Sequence, residues 1–424
     1  MLKKILIWTA RAVAAVFLLA AGFALYVELD GLPRFRHVAP ERHVEVTAEQ
    51  VERGKKLASL LCVHCHLNPT TGKLTGKVLS DLPPEFGKIV SKNITRSRKK
   101  GIGAWSDGDL AYLLRTGVRP DGTYVPPYMI KLPHASDADL DAILAYLRSD
   151  DALLAPAEVD PPGVTEPTFL VKLLAHTVMR PLPFPEQPIT APAITDRVAY
   201  GRYLTYSLDC YSCHSADFKS VNIMNPPLSE GYLAGGNRLL KLDGTAINSA
   251  NLTPDPTTGI GRMSEADFAR TLRYGIRPDG YTLSYPMVAM PELDDRDLSS
   301  IYAYLRTVPA RQHAVERAPQ PKLSEHDAGK AAYARYGCAS CHGESGLGIA
   351  DLRAANRSYP NDEALLHWIL DAPTLKPGTR MPAWRAIIDP KDYPALLAHV
   401  RKLSANSDLP KETSSNSKPE GEKI

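Results

Sequence analysis

Three short stretches of the chain share one pattern of reactive side chains. CVHCH runs from Cys62 to His66, CYSCH from Cys210 to His214 and CASCH from Cys338 to His342. Together they use all six cysteines of the 424-residue chain. A structural zinc site needs four ligands, usually from a second pair downstream. No cysteine lies outside the pentads to complete one, and two pentads sharing a zinc would strand the third. A thiol–disulfide redox site has no use for a histidine directly after its second cysteine, let alone three times. Covalent attachment of haem c does: two thiols add to the vinyl groups, and the next residue offers its imidazole to the iron. The attachment residues are then Cys62, Cys65, Cys210, Cys213, Cys338 and Cys341, with His66, His214 and His342 as proximal ligands. His64, at a spacer position of the first pentad, reads as a spacer only.

The opposite face of each iron needs a second ligand if the site is to exchange electrons and bind no small molecule. A methionine thioether is the usual choice in cytochromes c. Met129 and Met287 each stand seven residues after the glycine of an RPDG turn, in the proline-containing loops PPYMIKLP and SYPMVAMP. Met381 stands in GTRMPAW, the equivalent loop before the last periodic segment. These three are the expected distal ligands, and their matched positions weigh against plain core filling. Met290 aligns with Leu132 and loses to Met287. Met179, Met224 and Met263 have no counterparts and read as structural. Arg119 and Arg277 of the RPDG turns, with Asn93 and Asn251, are candidates for binding haem propionates through charge-assisted bonds. Simple turn chemistry explains them equally well.

The elements that would position these groups come from an internal duplication. The segment from Asn93 to Ser149 aligns without a gap with the segment from Asn251 to Thr307, at a constant offset of 158. Both contain GIG, RPDG and AYLR. Each must therefore be one folding unit. Between pentad and block the second copy holds about ten extra residues, around NIMNPPLSEGYLAGGNRLL. TAEQVERGKKLASLL before Cys62 and ITDRVAYGRYLTYSL before Cys210 have a cap-like threonine followed by helical apolar spacing. The blocks close on further helical segments, LDAILAYLRS and LSSIYAYLRT. A shorter third unit opens with SEHDAGKAAYARYG and closes with DYPALLAHVRKL. Gly54, Gly201 and Gly329 fall eight or nine residues before their pentads. A glycine inside a helix costs about 1 kcal/mol against alanine. Repeated three times, it predicts that the first and last helices of each unit cross there.

The expected fold class is all-α. Three tandem small cytochrome c domains are each wrapped round one covalent haem, behind an N-terminal apolar helix. Their boundaries are 1–30 for the anchor or signal, 45–150 for the first domain, 151–193 for a proline-rich linker, 194–310 and 322–404 for the second and third domains, and 405–424 for a disordered tail. Within the linker, FLVKLLAHTVM is expected to form a short amphipathic helix that packs across two domains or touches the membrane surface, with packing favoured.

At the N-terminus, Lys3 and Lys4 precede an apolar run from Ile5 to Val27, broken mainly by Arg11. Sixteen uncharged residues follow Arg11. That length lies between a signal-peptide core and a full span. An uncleaved anchor is favoured over cleavage after Gly22-Phe23-Ala24, because the apolar run continues past that point. The lysines place the N-terminus inside and the body in the periplasm. A net charge of +3 over this length makes no case for nucleic-acid binding.

NLTPDPTTGIG, RPDG, a loop methionine before the last helix and three C-x-x-C-H pentads together resemble the three-haem cytochrome c subunits of membrane-bound alcohol, aldehyde and gluconate dehydrogenases. The resemblance covers residues from about 50 to 405. It implies three haem c groups held by the six cysteines, with His66, His214 and His342 proximal and Met129, Met287 and Met381 distal. It also implies electron transfer from a quinoprotein, flavoprotein or molybdenum dehydrogenase, membrane-bound or periplasmic. The acceptor would be quinone or a terminal oxidase in the respiratory chain, at the periplasmic side of the inner membrane. The first unit departs from the pattern with NITRSRKKGIG. Its basic stretch from Arg96 to Lys100 suits a solvated loop or an acidic partner. No nucleophile–base pair, phosphate loop or nucleotide fingerprint suggests catalysis by the chain itself. Two alternatives stand beside this reading. One is a haem enzyme of peroxidase or thiosulfate-oxidising type, with an open position in the domain of Met381. The other is the haem subunit of a respiratory oxidase.

Overall fold

The computed structural model describes residues 2–241, 244–316, 327–346, 348, 350–376 and 379–405. It divides into two compact units, Met1–Pro321 and Lys322–Ile424. Both are built from helices. The described strands are two short antiparallel pairs in the first unit. The polar tail expected to be disordered lies, beyond Ala405, outside the described residues.

The first unit begins with α1 (Leu2–Asp30), in which Val27 is the buried residue and the remaining apolar side chains are largely exposed. It is long and apolar enough to cross a membrane, as a signal sequence also would be. Next come α2 (Ala48–Leu61), the single turn α3 (Val63–His66), α4 (Asp107–Thr116) and α5 (Asp137–Arg148). Thr47 caps α2 by accepting from Gln50 N. Ser106 and Asp109 close a capping box on α4, and Gly117 ends that helix with φ +82°. Helix α5 starts at Ser136, whose hydroxyl accepts from Asp139 N. These caps satisfy orphan helix N–H groups without distant partners.

After α6 (Phe169–Thr177), a second assembly repeats the plan with α7 (Arg197–Ser207), α8 (Cys210–His214), α9 (Glu265–Tyr274) and α10 (Asp295–Leu305). Ser264 and Asp267 form the matching capping box, and Gly275 the matching stop with φ +74°. One expectation is corrected: α7 is capped by Asp196, not the preceding threonine, because it is the Asp196 carboxylate that accepts from Ala199 N. The extra residues of this half lead into a hairpin of β3 and β4, Arg238–Leu240 and Ala246–Asn248, which follow β1 (Gly87–Lys88) and β2 (Glu166–Pro167) in chain order.

The glycine crossings occur as expected. A Cβ on Gly54 of α2 would lie 1.8 Å from the Ala142 carbonyl oxygen of α5. On Gly201 of α7 it would lie 1.8 Å from the Ser300 oxygen of α10. Only glycine admits backbones that close.

The two halves grip one another through the starts of their last helices. Asp139 accepts from Arg53 of its own half at 2.7 Å and from the Tyr203 hydroxyl of the other half at 2.5 Å. Asp297, its counterpart at the offset of 158, accepts from Tyr200 of its own half at 3.3 Å and from Lys56 of the other. The segment after α5 is fastened to the first half. Leu154 is fully buried. Its carbonyl accepts from Arg96 N at 2.9 Å, and the Leu153 carbonyl from Leu74 N at 2.9 Å. Strand β2 pairs with β1. Prolines lack a donor but keep their acceptors, so a proline-rich strap can be fastened from the other side.

In the second unit, α11 (Ala328–Arg335) precedes α12 (Ala339–His342), α13 (Ala355–Ser358), α14 (Asp362–Leu375) and α15 (Tyr393–Ala405). A Cβ on Gly329 of α11 would stand 2.3 Å from the Ala395 oxygen of α15, the third of the crossings.

Candidate haem-binding sites

Each pentad is a tight helical turn directly after α2, α7 or α11. Cys62 N donates to Ala58 O, and His66 N donates back to Cys62 O, so the chain folds over with both thiols and the imidazole displayed. His66 Nδ1 lies 2.7 Å from the Lys92 carbonyl oxygen, His214 Nδ1 2.8 Å from Ala250 O and His342 Nδ1 2.7 Å from Ala350 O. A carbonyl only accepts, so each Nδ1 carries the proton and each Nε2 keeps its lone pair. Burial lowers the pKa of all three rings and holds them neutral. This is the state in which imidazole ligates a metal, with its orientation fixed from behind.

The thiols are in the opposite condition from a redox dithiol. Burial pushes Cys62, Cys210 and Cys338 up to about 12 and Cys65 up to about 11. Reactive disulfide cysteines need their thiolates stabilised. Among the described residues no group of three His, Cys, Asp or Glu side chains converges as a metal cage. In the first unit, Cys62, Cys65 and His66 open onto a cavity of about 1170 Å³ whose wall also contains Met129. Leu110, Leu113, Leu132 and Ile102 contribute apolar lining, and Arg119 and Lys99 are cationic members. The volume exceeds the ~300–1,000 Å³ of ordinary ligand pockets. Two thiols, an imidazole with a free Nε2, a thioether and an apolar slot with cations suit a covalently held, dianionic porphyrin.

Sequence comparisons agree with that donor set. A family model for cytochrome C oxidase, cbb3-type, subunit III matches residues 324–400. The gluconate 2-dehydrogenase cytochrome c subunit of Pantoea cypripedii is 30% identical, over 78% of this chain and 78% of that protein. The chain belongs to the dehydrogenase cytochrome c subunits. The fructose dehydrogenase cytochrome subunit of Gluconobacter japonicus is 28% identical over 71% of this chain and 65% of its own length. The cytochrome c subunit of the quinone-type alcohol dehydrogenase of Gluconobacter oxydans is 28% identical over 73% and 66%. This cytochrome subunit is thus an electron-transfer chain and not a catalytic one, with haem c as its cofactor class.

The other candidate residues divide. Met129 is in the cavity wall. Met287 and Met381 are half-buried in the corresponding loops. Met290 packs against the second core, and its N–H donates to Leu272 O at 2.6 Å, as Leu132 N donates to Leu114 O at 2.7 Å. The asparagines are corrected to turn chemistry. Asn93 Nδ2 donates to Ala157 O and Val159 O, while its Oδ1 accepts from Thr95 N and Oγ1. Asn251 does the same with Arg311 O and Thr253. Both amides are spent on fastening the chain that leaves each last helix, and no donor remains for a propionate. Arg277 turns onto Asp279 of its own turn at 3.2 Å. Arg119 stands 3.8 Å from Asp121 and also lines the cavity.

Sequence reasoning missed the clamp on the methionine loop. Arg115 Nη1 donates to Leu132 O and Ala135 O at 2.5 and 2.7 Å, and Nη2 to Asp137 Oδ1 at 2.8 Å. Arg273 repeats this on Leu293 O and Asp295 Oδ1 at 3.2 and 2.7 Å. The signal was present: both arginines stand at the same offset, in LLRTG and TLRYG. His64 was also undervalued. Its Nε2 is 2.9 Å from the Tyr285 hydroxyl, the rings stack at 5.1 Å, and Tyr285 donates to Asp81 at 2.6 Å. The first pentad is thereby joined to the methionine loop of the second half.

Proposed function

We propose that the cytochrome subunit carries three haem c groups, one on each pentad, and relays electrons from a partner dehydrogenase to membrane quinone or a terminal oxidase. The carrying observation is the threefold histidine geometry, with Nδ1 on a carbonyl and Nε2 free in each pentad. Haem iron, when bound, supplies one-electron exchange. The protein's own work is to hold each ring neutral, to keep thioether loops in reach, and to exclude water with apolar walls. The six cysteines would hold the haems covalently, and Met129, Met287 and Met381 would supply the thioether ligands. Arg119, on the first cavity, suits a propionate. The dehydrogenase donor follows from the family, whose members include cytochrome subunits of gluconate, fructose and alcohol dehydrogenases. Attachment chemistry and the apolar α1 point to the periplasmic face of the inner membrane, with α1 as the anchor.

The respiratory-oxidase reading has one observation in its favour, the oxidase-subunit match over residues 324–400. That match concerns the second unit, whereas the gluconate dehydrogenase relative spans 78% of the chain.

The test is the intact mass and visible spectrum of the exported protein. Three haem masses per chain, three equivalents of the weak far-red band that marks iron–methionine ligation, and no reaction with carbon monoxide are expected. A haem that binds carbon monoxide would overturn the pure relay and point to an open position, first at Met381.

A further inference from the structure

Helix α6 is built the wrong way round for water. Val171 and Ala175 are its buried residues, and Val171 joins Leu79, Phe86 and Ile89 in a small core beside Cys65. Its two basic residues point along the protein. Lys172 Nζ lies 2.6 Å from Glu28 Oε1, and His176 Nε2 lies 3.5 Å from Asp30 and 3.3 Å from the Gly31 carbonyl. The His176 ring also meets Tyr26 edge-on at 5.5 Å. What remains for the outside is largely apolar: Phe169 is 42% exposed, Leu170 50% and the following Val178 72%, beside Thr177, whose exposed hydroxyl donates to the Leu173 carbonyl. Leu173 and Leu174 are half-buried between them. A helix at a water-facing surface shows the reverse distribution.

The place of this patch says what covers it. The ring contact, ion pairs and hydrogen bond that α6 makes around the end of α1 fall on Tyr26, Glu28, Asp30 and Gly31, where the apolar run of α1 stops. The run from Ile5 to Val27 is about 35 Å long at 1.5 Å per residue, enough for a hydrocarbon core of ~30 Å. Residues 26–31 are then at its outer boundary, and the exposed face of α6 continues the lipid-facing surface of α1. A lysine spent on a carboxylate of α1 and a leucine turned outward suit the headgroup–acyl boundary.

We infer that α6 is an interfacial helix that lies in the outer boundary of the membrane crossed by α1, with Phe169, Leu170 and Val178 against lipid. The inference rests on the reading of α1 as a retained anchor. It makes the first haem site the membrane-proximal one. The cavity there is lined by Glu28, Asp30 and Gly31 from the end of α1, by Lys172 from α6, and by Cys62 and His66.

The experiment uses the full chain in vesicles of phosphatidylethanolamine and phosphatidylglycerol. The photoreactive residue p-benzoylphenylalanine replaces Leu170, Leu25 of α1 or, as a control, the exposed Leu228 of the second half. Illumination should give lipid adducts at positions 25 and 170 and none at 228. Adducts at 25 with none at 170 would overturn the interfacial helix while leaving the anchor intact. So would a cross-link from position 170 to a partner protein instead of lipid in native membranes. The mass of the mature chain reads the anchor separately: a chain that has lost α1 would end both readings.

Discussion

Helices α2–α5 and α7–α10 fold one pattern twice, yet the first copy is the more enclosed. The local devices coincide. Both halves carry the glycine crossing, the capping box, the left-handed glycine stop, the asparagine that fastens the departing strand and the arginine on the methionine loop. Their surroundings do not. The Arg115 side chain is 1% exposed, and Tyr203 of the other half bonds Ser136 and Asp139 beside it. The Arg273 side chain is 25% exposed, and its partner Asp295 faces water. Identical chemistry should therefore carry different energies, because a cation withdrawn from solvent depends far more on its partners than an exposed one.

The largest effect should come where the halves are still alike. Gly54→Ala and Gly201→Ala each drive a methyl into a backbone carbonyl, and overpacking of that kind costs about 3 kcal/mol or more. Equal, severe losses of thermal stability in the holoprotein are expected. A mild effect at one glycine alone would break the equivalence of the crossings.

Next, the arginine clamps should separate the halves. Arg115→Ala leaves two buried carbonyls unpaired and should cost about 3 kcal/mol, with loss of the Met129 share of the far-red band. Arg273→Ala should cost about 1 kcal/mol and disturb the band less. Denaturant unfolding together with the spectrum reads both. Equal costs would mean that burial by the neighbouring half is energetically unimportant.

Asn93→Ala and Asn251→Ala should each cost about 1–2 kcal/mol through unmade buried hydrogen bonds, without moving any haem potential. A shifted potential would restore the propionate role that the hydrogen bonding rules against.

The smallest difference lies in acid. Desolvation pushes the Asp109 carboxyl up, but bonds from Ser106 and from His37, 2.8 Å away, outweigh it and leave its pKa below the usual value. A depressed folded pKa gives stability that is complete above the unfolded value of about 3.9 and is lost as pH falls through the lower folded value. Asp109→Asn should flatten that acid limb by under about 1 kcal/mol, read as unfolding midpoints between neutral pH and strong acid.

Much of the chemistry was legible because it is short-range. The pentads declare themselves by spacing, and the crossing glycines by recurring at matched positions. Residues whose role depends on a distant segment were misjudged. Asn93 carried the right type for a propionate, but its amide is spent on carbonyls 64 and 66 residues away. His64 looked like a spacer because Tyr285, which stacks on it, lies 221 residues on. The proline-rich segment after α5 read as a linker because prolines announce stiffness and say nothing about what their carbonyls will accept.

The amino-acid sequence by itself determined the cofactor class, the number and spacing of attachment pentads, the repeated helical plan and the apolar start, since each is a matter of covalent spacing or local periodicity. Tertiary structure alone decided which imidazole nitrogen keeps its lone pair, which arginine is buried, how the halves grip each other's aspartates, and which face of α6 is left apolar. Those outcomes depend on which surfaces meet and lose their water, and the meeting partners are far apart along the chain.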